Sequence, residues 1–473
     1  PAEKARQAKT DTLKPAPNLG AIKGLLRLIM SVRNITGSYT VTEGTTLPGF
    51  TKTPYLFGMD KTWAAPGWDF ILGSQNTGQP EKSANNGWLT TSEKLTNPFV
   101  QLQQRNLNLR GSIEPSTDFK IQLDMKKITT AAFQEIYRFE SDSNGYAAFS
   151  PSRTGSYTIS TISVKTAFKN NTSTNSSVFQ QFENNITTIS DKMSQITQQE
   201  YKTKSQDVLI PAFLAAYTGQ SADKVALTPF PRLPVPNWRI DYTGLIKLGQ
   251  LQNIFQTISI NHAYTSSYTV ANYTNSLEYA NVGINVPIEK YNPALYTSKV
   301  NANNEPIPIY IITQAMISET FAPLIGITVR TKKKLSAKFE YKTKRDLALN
   351  ISNAQITELN TKDWSLTFGY TKNNLKLPFK DQGRTITLKN DVTFNLTMSV
   401  SNNRTIQRKI DEVNSVTNGN INFQLRPNVN YLVNQRLNIQ LYMERNVNDP
   451  LVTNSYPRAT TKVGTKIIFQ LSQ

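Results

Sequence analysis

From about residue 30 to the C-terminus, apolar and polar residues alternate at a period of two. In "LNLRGSIEPSTDFKIQLDMKK" the odd positions Leu107, Leu109, Ile113, Phe119, Ile121, Leu123 and Met125 fall on one face. In "ITLKNDVTFNLTMSV" the even positions Ile386, Leu388, Val392, Phe394, Leu396, Met398 and Val400 do so. Ile421, Phe423, Leu425, Val429, Tyr431 and Val433 continue the pattern, and Leu437, Ile439, Leu441 and Met443 follow after Asn434-Gln435. The last such run sets Val463, Thr465, Ile467, Phe469 and Leu471 against Lys462, Gly464, Lys466, Gln470 and Ser472. A period of two predicts β-strands with one apolar and one wet face. The runs exceed the roughly 5–6 residues usual for strands of globular proteins. They suit tilted strands that cross a hydrocarbon layer in about 9–11 residues and continue beyond it. The pattern therefore predicts an all-β, antiparallel transmembrane β-barrel wall.

Two stretches break the alternation. Residues 178–204 carry Phe182, Ile186, Ile189, Met193 and Ile196 at spacings of three and four, which predicts an amphipathic helix. A second, short helix follows in "DVLIPAFLAAYTG". Pro229, Pro231, Pro234 and Pro236 then end the helical piece and deliver Trp238 into a strand. This insertion is expected at one end of the barrel or folded into its lumen. The other break, residues 46–75, punctuates Phe50, Tyr55, Phe57, Trp63, Trp68 and Phe70 with glycines and prolines. It is too apolar for a plain solvated loop and reads as a plug, a lid, a partner-docking surface or a loop packed on its own aromatics. The expected organisation is a flexible lead-in over 1–20, strands over 21–177, the helical and Pro-rich insertion over 178–237, and strands over 238–473.

Composition narrows the function classes. No apolar run approaches the roughly 18 residues of a spanning helix, which leaves the barrel as the membrane form. There is no cysteine, so disulfides and thiolate metal sites are excluded. His262 is the only histidine and lies in an alternating run, which assigns it an ordinary structural role. The 52 Lys and Arg exceed the 33 acidic residues, giving +19. Their one compact cluster, residues 330–345, itself alternates: Leu335, Ala337, Phe339 and Tyr341 against Ser336, Lys338, Glu340 and Lys342. That predicts a wet strand face rather than a nucleic-acid surface, with anionic lipid or acidic cargo as alternative partners. Tyr39, Trp364, Tyr370, Tyr431 and Tyr442 are placed as strand-end aromatics of interfacial girdles. The first 20 residues lack an apolar signal core, which implies a removed signal or a longer parent chain. No phosphate loop, nucleophile elbow, zinc motif or calcium-loop spacing occurs, and no enzyme, cofactor or metal is expected.

Four idiosyncratic segments carry a resemblance: "APGWDFILGSQ", "IPAFLAAYTGQSADKVALTPFPRLPVPNWRIDYTGL", "ISETFAPLIGI" and "KRDLALNISNAQITEL". They resemble the C-terminal part of the SprA (Sov) family, outer-membrane translocons of the type 9 secretion and gliding-motility system of Bacteroidota. The resemblance implies location in the outer membrane as part of a very large single-chain barrel. It also implies export of folded cargo with C-terminal signal domains. Implied partners are the upstream strands of the same barrel, a PorV-like shuttle protein, a plug protein and a periplasmic peptidyl-prolyl isomerase. On this reading Val463, Ile467, Phe469 and Leu471 form the lipid-facing side of the closing strand. Residues 46–75 and 178–225 are the candidate gate elements. Two other readings stay open: a self-contained barrel of about 14–16 strands for small solutes, and a secreted β-rich adhesin.

Overall fold

The computed structural model describes residues 31–470 apart from 170, 171, 173, 174, 281–285, 297, 298, 382, 435, 453 and 454. The proposed lead-in and Leu471 lie outside the described residues. The chain is mostly antiparallel sheet. Its strands are β1 (Val32–Thr46), β2 (Phe99–Ser116), β3 (Phe119–Glu140), β4 (Gly145–Ser160), β5 (Asn237–Tyr242) and β6 (Phe255–Asn275). They continue with β7 (Tyr310–Ile312), β8 (Gln314–Thr331), β9 (Leu335–Asn350), β10 (Gln355–Lys372), β11 (Leu375–Asp381) and β12 (Arg384–Leu388). The last four are β13 (Val392–Lys409), β14 (Ser415–Asn434), β15 (Leu437–Pro450) and β16 (Arg458–Phe469). Fourteen join one sheet in the order β1-β2-β3-β4-β6-β8-β9-β10-β13-β14-β15-β16, with β5 between β3 and β6 and β7 on β6. The hairpin β11–β12 stands apart, so Ile386 and Leu388 do not share a strand with Val392–Val400.

Register turns the alternation of each strand into two distinct sheet faces, because directly opposed residues in an antiparallel pair point the same way. One row on the first face reads Phe119, Tyr242, Ile260, Ile327, Phe339, Leu366, Met398 and Leu425, crossing eight strands with no polar residue but the tyrosine hydroxyl. A row on the second face reads Gly326, Glu340, Ser365, Ser399, Gln424, Asn446 and Thr460. The polar face is knit by side-chain amides. Asn420 donates to Asn448 at 2.8 Å, and Asn395 and Asn430 both donate to Asn428, at 3.1 and 3.0 Å. Ion pairs add to it, Arg426–Glu444 at 2.7 Å and Lys344–Asp346 at 2.7 Å among them.

The helical insertion interrupts a single column of the sheet. β4 pairs the upper part of β3 and β5 pairs its lower part, both antiparallel, so β5 continues the line of β4. Between Ser160 and Asn237 the chain leaves the sheet. The gap in the ladder is patched: Lys126 N–H donates to Ser160 Oγ, Thr161 N–H to the Ser266 carbonyl, and Ser266 N–H to Asn237 Oδ1. The excursion builds helices α1 (Ser177–Thr197) and α2 (Gln206–Thr218). Ser176 caps α1 by accepting the Phe179 N–H, and Gly219 closes α2 in the left-handed region. α1 buries Phe182, Ile186, Ile189 and Met193 as its period predicts, whereas Ile196 is exposed. Every residue of α2 is buried. The helices pack on Tyr268, Ile317, Leu347, Leu349 and Ile356, which belong to the face that carries the apolar rows.

The prolines do more than stop a helix. Their carbonyls receive tyrosine hydroxyls from the sheet: Tyr157 donates to Pro231 and Tyr268 to Pro229. Tyr273 reaches across β4 to the Thr130 carbonyl at 3.0 Å, over Gly155, where any Cβ would overlap its ring. Phe230 packs edge-on against Tyr157, Tyr273 and Tyr310. The described residues between 276 and 309, expected within the strand region, instead leave the sheet and join this core through Tyr279, Ile288 and Tyr291.

Two buried ion pairs fasten the unit to the sheet. Glu319 accepts from Arg345 at 2.9 Å, Ser163 at 2.6 Å and Tyr264 at 2.9 Å, while Arg345 also holds Thr166. Arg408 and Glu358 meet at 2.7 Å with neither side chain exposed, and Arg408 reaches the Thr172 carbonyl. Glu319→Gln leaves the buried Arg345 without its counter-charge. We expect a loss of about 3–5 kcal/mol, read as early unfolding of α1 and α2 in urea by hydrogen exchange. Lys338→Gln, on a solvated pair, is expected to change stability by about 1 kcal/mol or less.

Asp207 gives a pH signature. Burial in α2 pushes its carboxyl from 3.8 up to about 7, with only a long bond from Gln206 working the other way. The native state thus retains a proton that the unfolded chain has released above about pH 4. Stability falls as pH rises from about 4 to about 7, by on the order of 1.4 kcal/mol per unit, and is level above that. Asp207→Asn should abolish the slope in urea titrations of α2 run across that range.

Candidate functional site

Three surfaces are candidates for function: the apolar face, the polar face, and the irregular segment between β1 and β2. On the apolar face the rows beyond the helical unit are left open to the surroundings. Ile325, Ile327, Leu335, Phe339, Phe368, Tyr370 and Leu396 are all exposed. Beyond β14 the band runs on through Ile439 and Ile467 and through Leu437 and Phe469. On the final strand Val463 is 77%, Ile467 66% and Phe469 61% exposed, while Lys462 and Lys466 point to the opposite face. A contiguous exposed apolar surface of this kind marks an interaction or membrane-facing face.

The aromatics sit less simply than strand ends. On β10, Trp364 and Tyr370 bracket the apolar run of Leu366 and Phe368, and Tyr431 lies near the end of β14. Tyr39 is in mid-strand. Tyr442 is in mid-strand on the polar face, where its ring occupies the space that a side chain at position 464 would need. A strand-end role for Tyr39 and Tyr442 is therefore replaced by a mid-strand one, the tyrosine of β15 being accommodated by the glycine opposite.

The irregular segment runs from 47 to 98, beyond the expected boundary at 75, and includes the helix Gln79–Asn85. Its base rests on the apolar-parity positions of β1 and β2, where Gln101 donates to the Asn76 carbonyl and Thr45 to the Ser74 carbonyl. Its head is held by its own polar groups. Asp60 accepts from Thr62, Ala64 and Ala65, and the Thr62 hydroxyl foremost keeps that carboxyl below its ordinary range. Asp69 is held low by Lys82 at 2.8 Å, and Gln79 donates to the Pro66 carbonyl. Trp63 and Trp68 stack at 5.8 Å. What this scaffold presents is apolar: Tyr55, Leu56, Phe57, Trp63, Trp68 and Leu72 are exposed, whereas Phe50 and Phe70 are half-buried. Such a preordered aromatic patch has the character of a protein-docking surface.

Both irregular elements thus sit on the side of the sheet that carries the apolar rows. Arg105 of β2 joins Glu289 of the 276–309 segment at 3.0 Å, beside a cavity of about 220 Å³ that Gln75 and Thr77 of the irregular segment also line. His262 lies at a bulge between β6 and β8 with Nδ1 2.7 Å from the Leu324 carbonyl, which fixes that nitrogen as a donor. Among the described residues no cluster of His, Asp or Glu is placed to hold a metal, and no helix is long and apolar enough to cross a membrane. Charged groups on apolar-parity positions, which alternation alone passes over, are the sites missed in the sequence: Glu319, Arg345, Glu358, Lys362, Arg404 and Arg408. Neither a protein-family model nor a curated protein matches this chain.

Proposed function

We propose that this chain is one arc of the wall of a very large outer-membrane β-barrel that conducts folded proteins, with its apolar face against lipid and its polar face lining a hydrated pore. One observation carries the reading. The exposed apolar band runs across the sheet and stops at two edges, β1 and β16, which among the described residues pair only with β2 and β15. In hydrocarbon an unpaired edge costs several kcal/mol for each unsatisfied backbone group. Further strands must therefore complete the ring. A ring wider than these strands alone encloses a broader lumen than they could, and the quoted resemblance to type 9 translocons supplies both the protein-conducting size and the cargo class. The band's height supports the same reading. Phe394 to Val400 spans roughly 20 Å along the strand, or about 15 Å at tilts of about 35–45°. The longer run on β14 brings this to about 30 Å, bracketing the apolar zone of such barrels.

The aromatic patch at Tyr55–Leu72 is then the docking surface for a shuttle or plug partner at the outer rim, not a lumen plug. In the source organism, a C-terminal tag should report a polypeptide several times 53.1 kDa in detergent-extracted outer membranes. A tagged chain of that mass alone would overturn the arc and favour a self-sufficient small-solute barrel. Leu396 lies at mid-band, so Leu396→Arg should cost about 2–4 kcal/mol, while Thr397→Arg on the polar face should be tolerated. Equal tolerance of both, measured by urea midpoints in lipid vesicles, would refute the lipid-facing assignment.

A further inference from the structure

The boundary between the apolar band and the helical unit contains a cavity of about 370 Å³. Its floor is two rows of the apolar-parity face. The first, Thr343–Lys362–Asn402, lies immediately beyond the last band row, Tyr341–Trp364–Val400. The second is Arg345–Asn360–Arg404. Its roof is the segment Thr166–Lys169 that enters the helical unit. No carboxylate lines it. Arg345 is already held by Glu319 and Thr166, but Lys169, Lys362 and Arg404 have no ion-pair partner among the described residues. Three cations converging without an acid repel one another. That arrangement is stable only where water or a bound anion offsets it.

The position identifies the anion. The cavity opens where the exposed apolar rows end, and Phe168, 62% exposed, packs on Phe321 beside it. A molecule seated there has its charged part among Lys and Arg and its remainder along Tyr341 and Phe339. We propose that this cavity binds the phosphate of an anionic lipid whose acyl chains lie along the apolar band. Arg404 supplies a planar two-donor fork, Lys169 and Lys362 supply point charges from roof and floor, and Asn360 and Asn402 supply neutral donors. The inference rests on the reading of the band as lipid-facing.

The test is native mass spectrometry of the whole detergent-extracted protein with phosphatidylglycerol or phosphatidylcholine added at equal excess. The expected result is one phosphatidylglycerol retained over phosphatidylcholine, with Lys362→Gln/Arg404→Gln weakening it by about tenfold or more. Unchanged phosphatidylcholine adducts would show the double variant to be folded. Should it misfold, Lys169→Gln on the exposed roof decides, with a smaller loss expected and no loss overturning the site. Lys338→Gln/Lys342→Gln on the polar face should leave retention as in the wild type. Equal retention of both lipids, or no effect of the cavity variants, overturns the head-group site alone. Displacement by excess inorganic phosphate would reassign the cavity to free anions and overturn the lipid assignment. Failure to retain any lipid would overturn the site together with the lipid-facing band.

Discussion

Cross-strand register is the constraint on which the rest of this protein depends. Each strand is only half apolar, so no strand by itself defines an outside. A continuous apolar band arises because Phe339, Leu366, Met398 and Leu425 are directly opposed, and a slip of one residue at any ladder would send half the band to the wet face. The polar face helps hold that register. Asn420–Asn448 and Arg426–Glu444 bond only in the observed pairing. A one-residue slip would set Asn420 or Arg426 against the apolar side of β15. The amide-rich composition is thus a registration device.

The helical unit exploits a different property of the same wall. A strand can be cut and its two halves, β4 and β5, laid end to end on β3, provided the exposed backbone at the cut is bonded. Ser160, Asn237 and Ser266 do this locally. The excursion then needs a reason to lie on one face and not the other. Apolar contact alone would not choose a place along the band, since the band is apolar throughout. The two buried pairs, Arg345–Glu319 and Arg408–Glu358, choose it. Each joins neighbouring strands and also bonds the entry segment of the unit, through Thr166 and Thr172. A buried pair contributes little net stability, but its mispairing costs several kcal/mol. Position is what it specifies.

Much of this was legible in the sequence because period-two alternation is a local signal. The strands, their faces, the amphipathic stripe of α1 and the entry of Trp238 into β5 all follow from neighbours within a few residues. The extension of the irregular segment to residue 98, the departure of 276–309 from the sheet, and the separate β11–β12 hairpin did not. Two of those stretches are placed by partners far along the chain: Phe230 against Tyr291 for 276–309, and Gln101 against Asn76 for the loop base. The aromatic content of 46–75 announced a special surface, yet which side of the sheet it occupies rests on Asn76 and Ser74 meeting β2 and β1, contacts with no local signature. Parity would have found the charged boundary. Glu358 stands two residues from Ile356, and Arg408 two from Ile406, so both share the apolar side of their strands.

The same parity bears on what the proposed lipid-facing reading requires where the apolar band meets the helical unit. A band of bare apolar residues ending against a solvated helical unit leaves a seam, and a seam between lipid and protein is a route for water and ions. Here the seam is not bare: the buried carboxylates are each already matched to an arginine, and the unmatched cations line the boundary cavity, Lys362 and Arg404 from the sheet and Lys169 from the segment entering the helical unit. Charge of one sign toward the head-group region and neutral pairs behind it is the order that draws anionic head groups inward while sparing the helical core an unpaired charge. On the proposed lipid-facing reading, the helices, the ion pairs and the cationic rim are one construction: the joint that fixes the unit on the sheet also sets where the lipid stops.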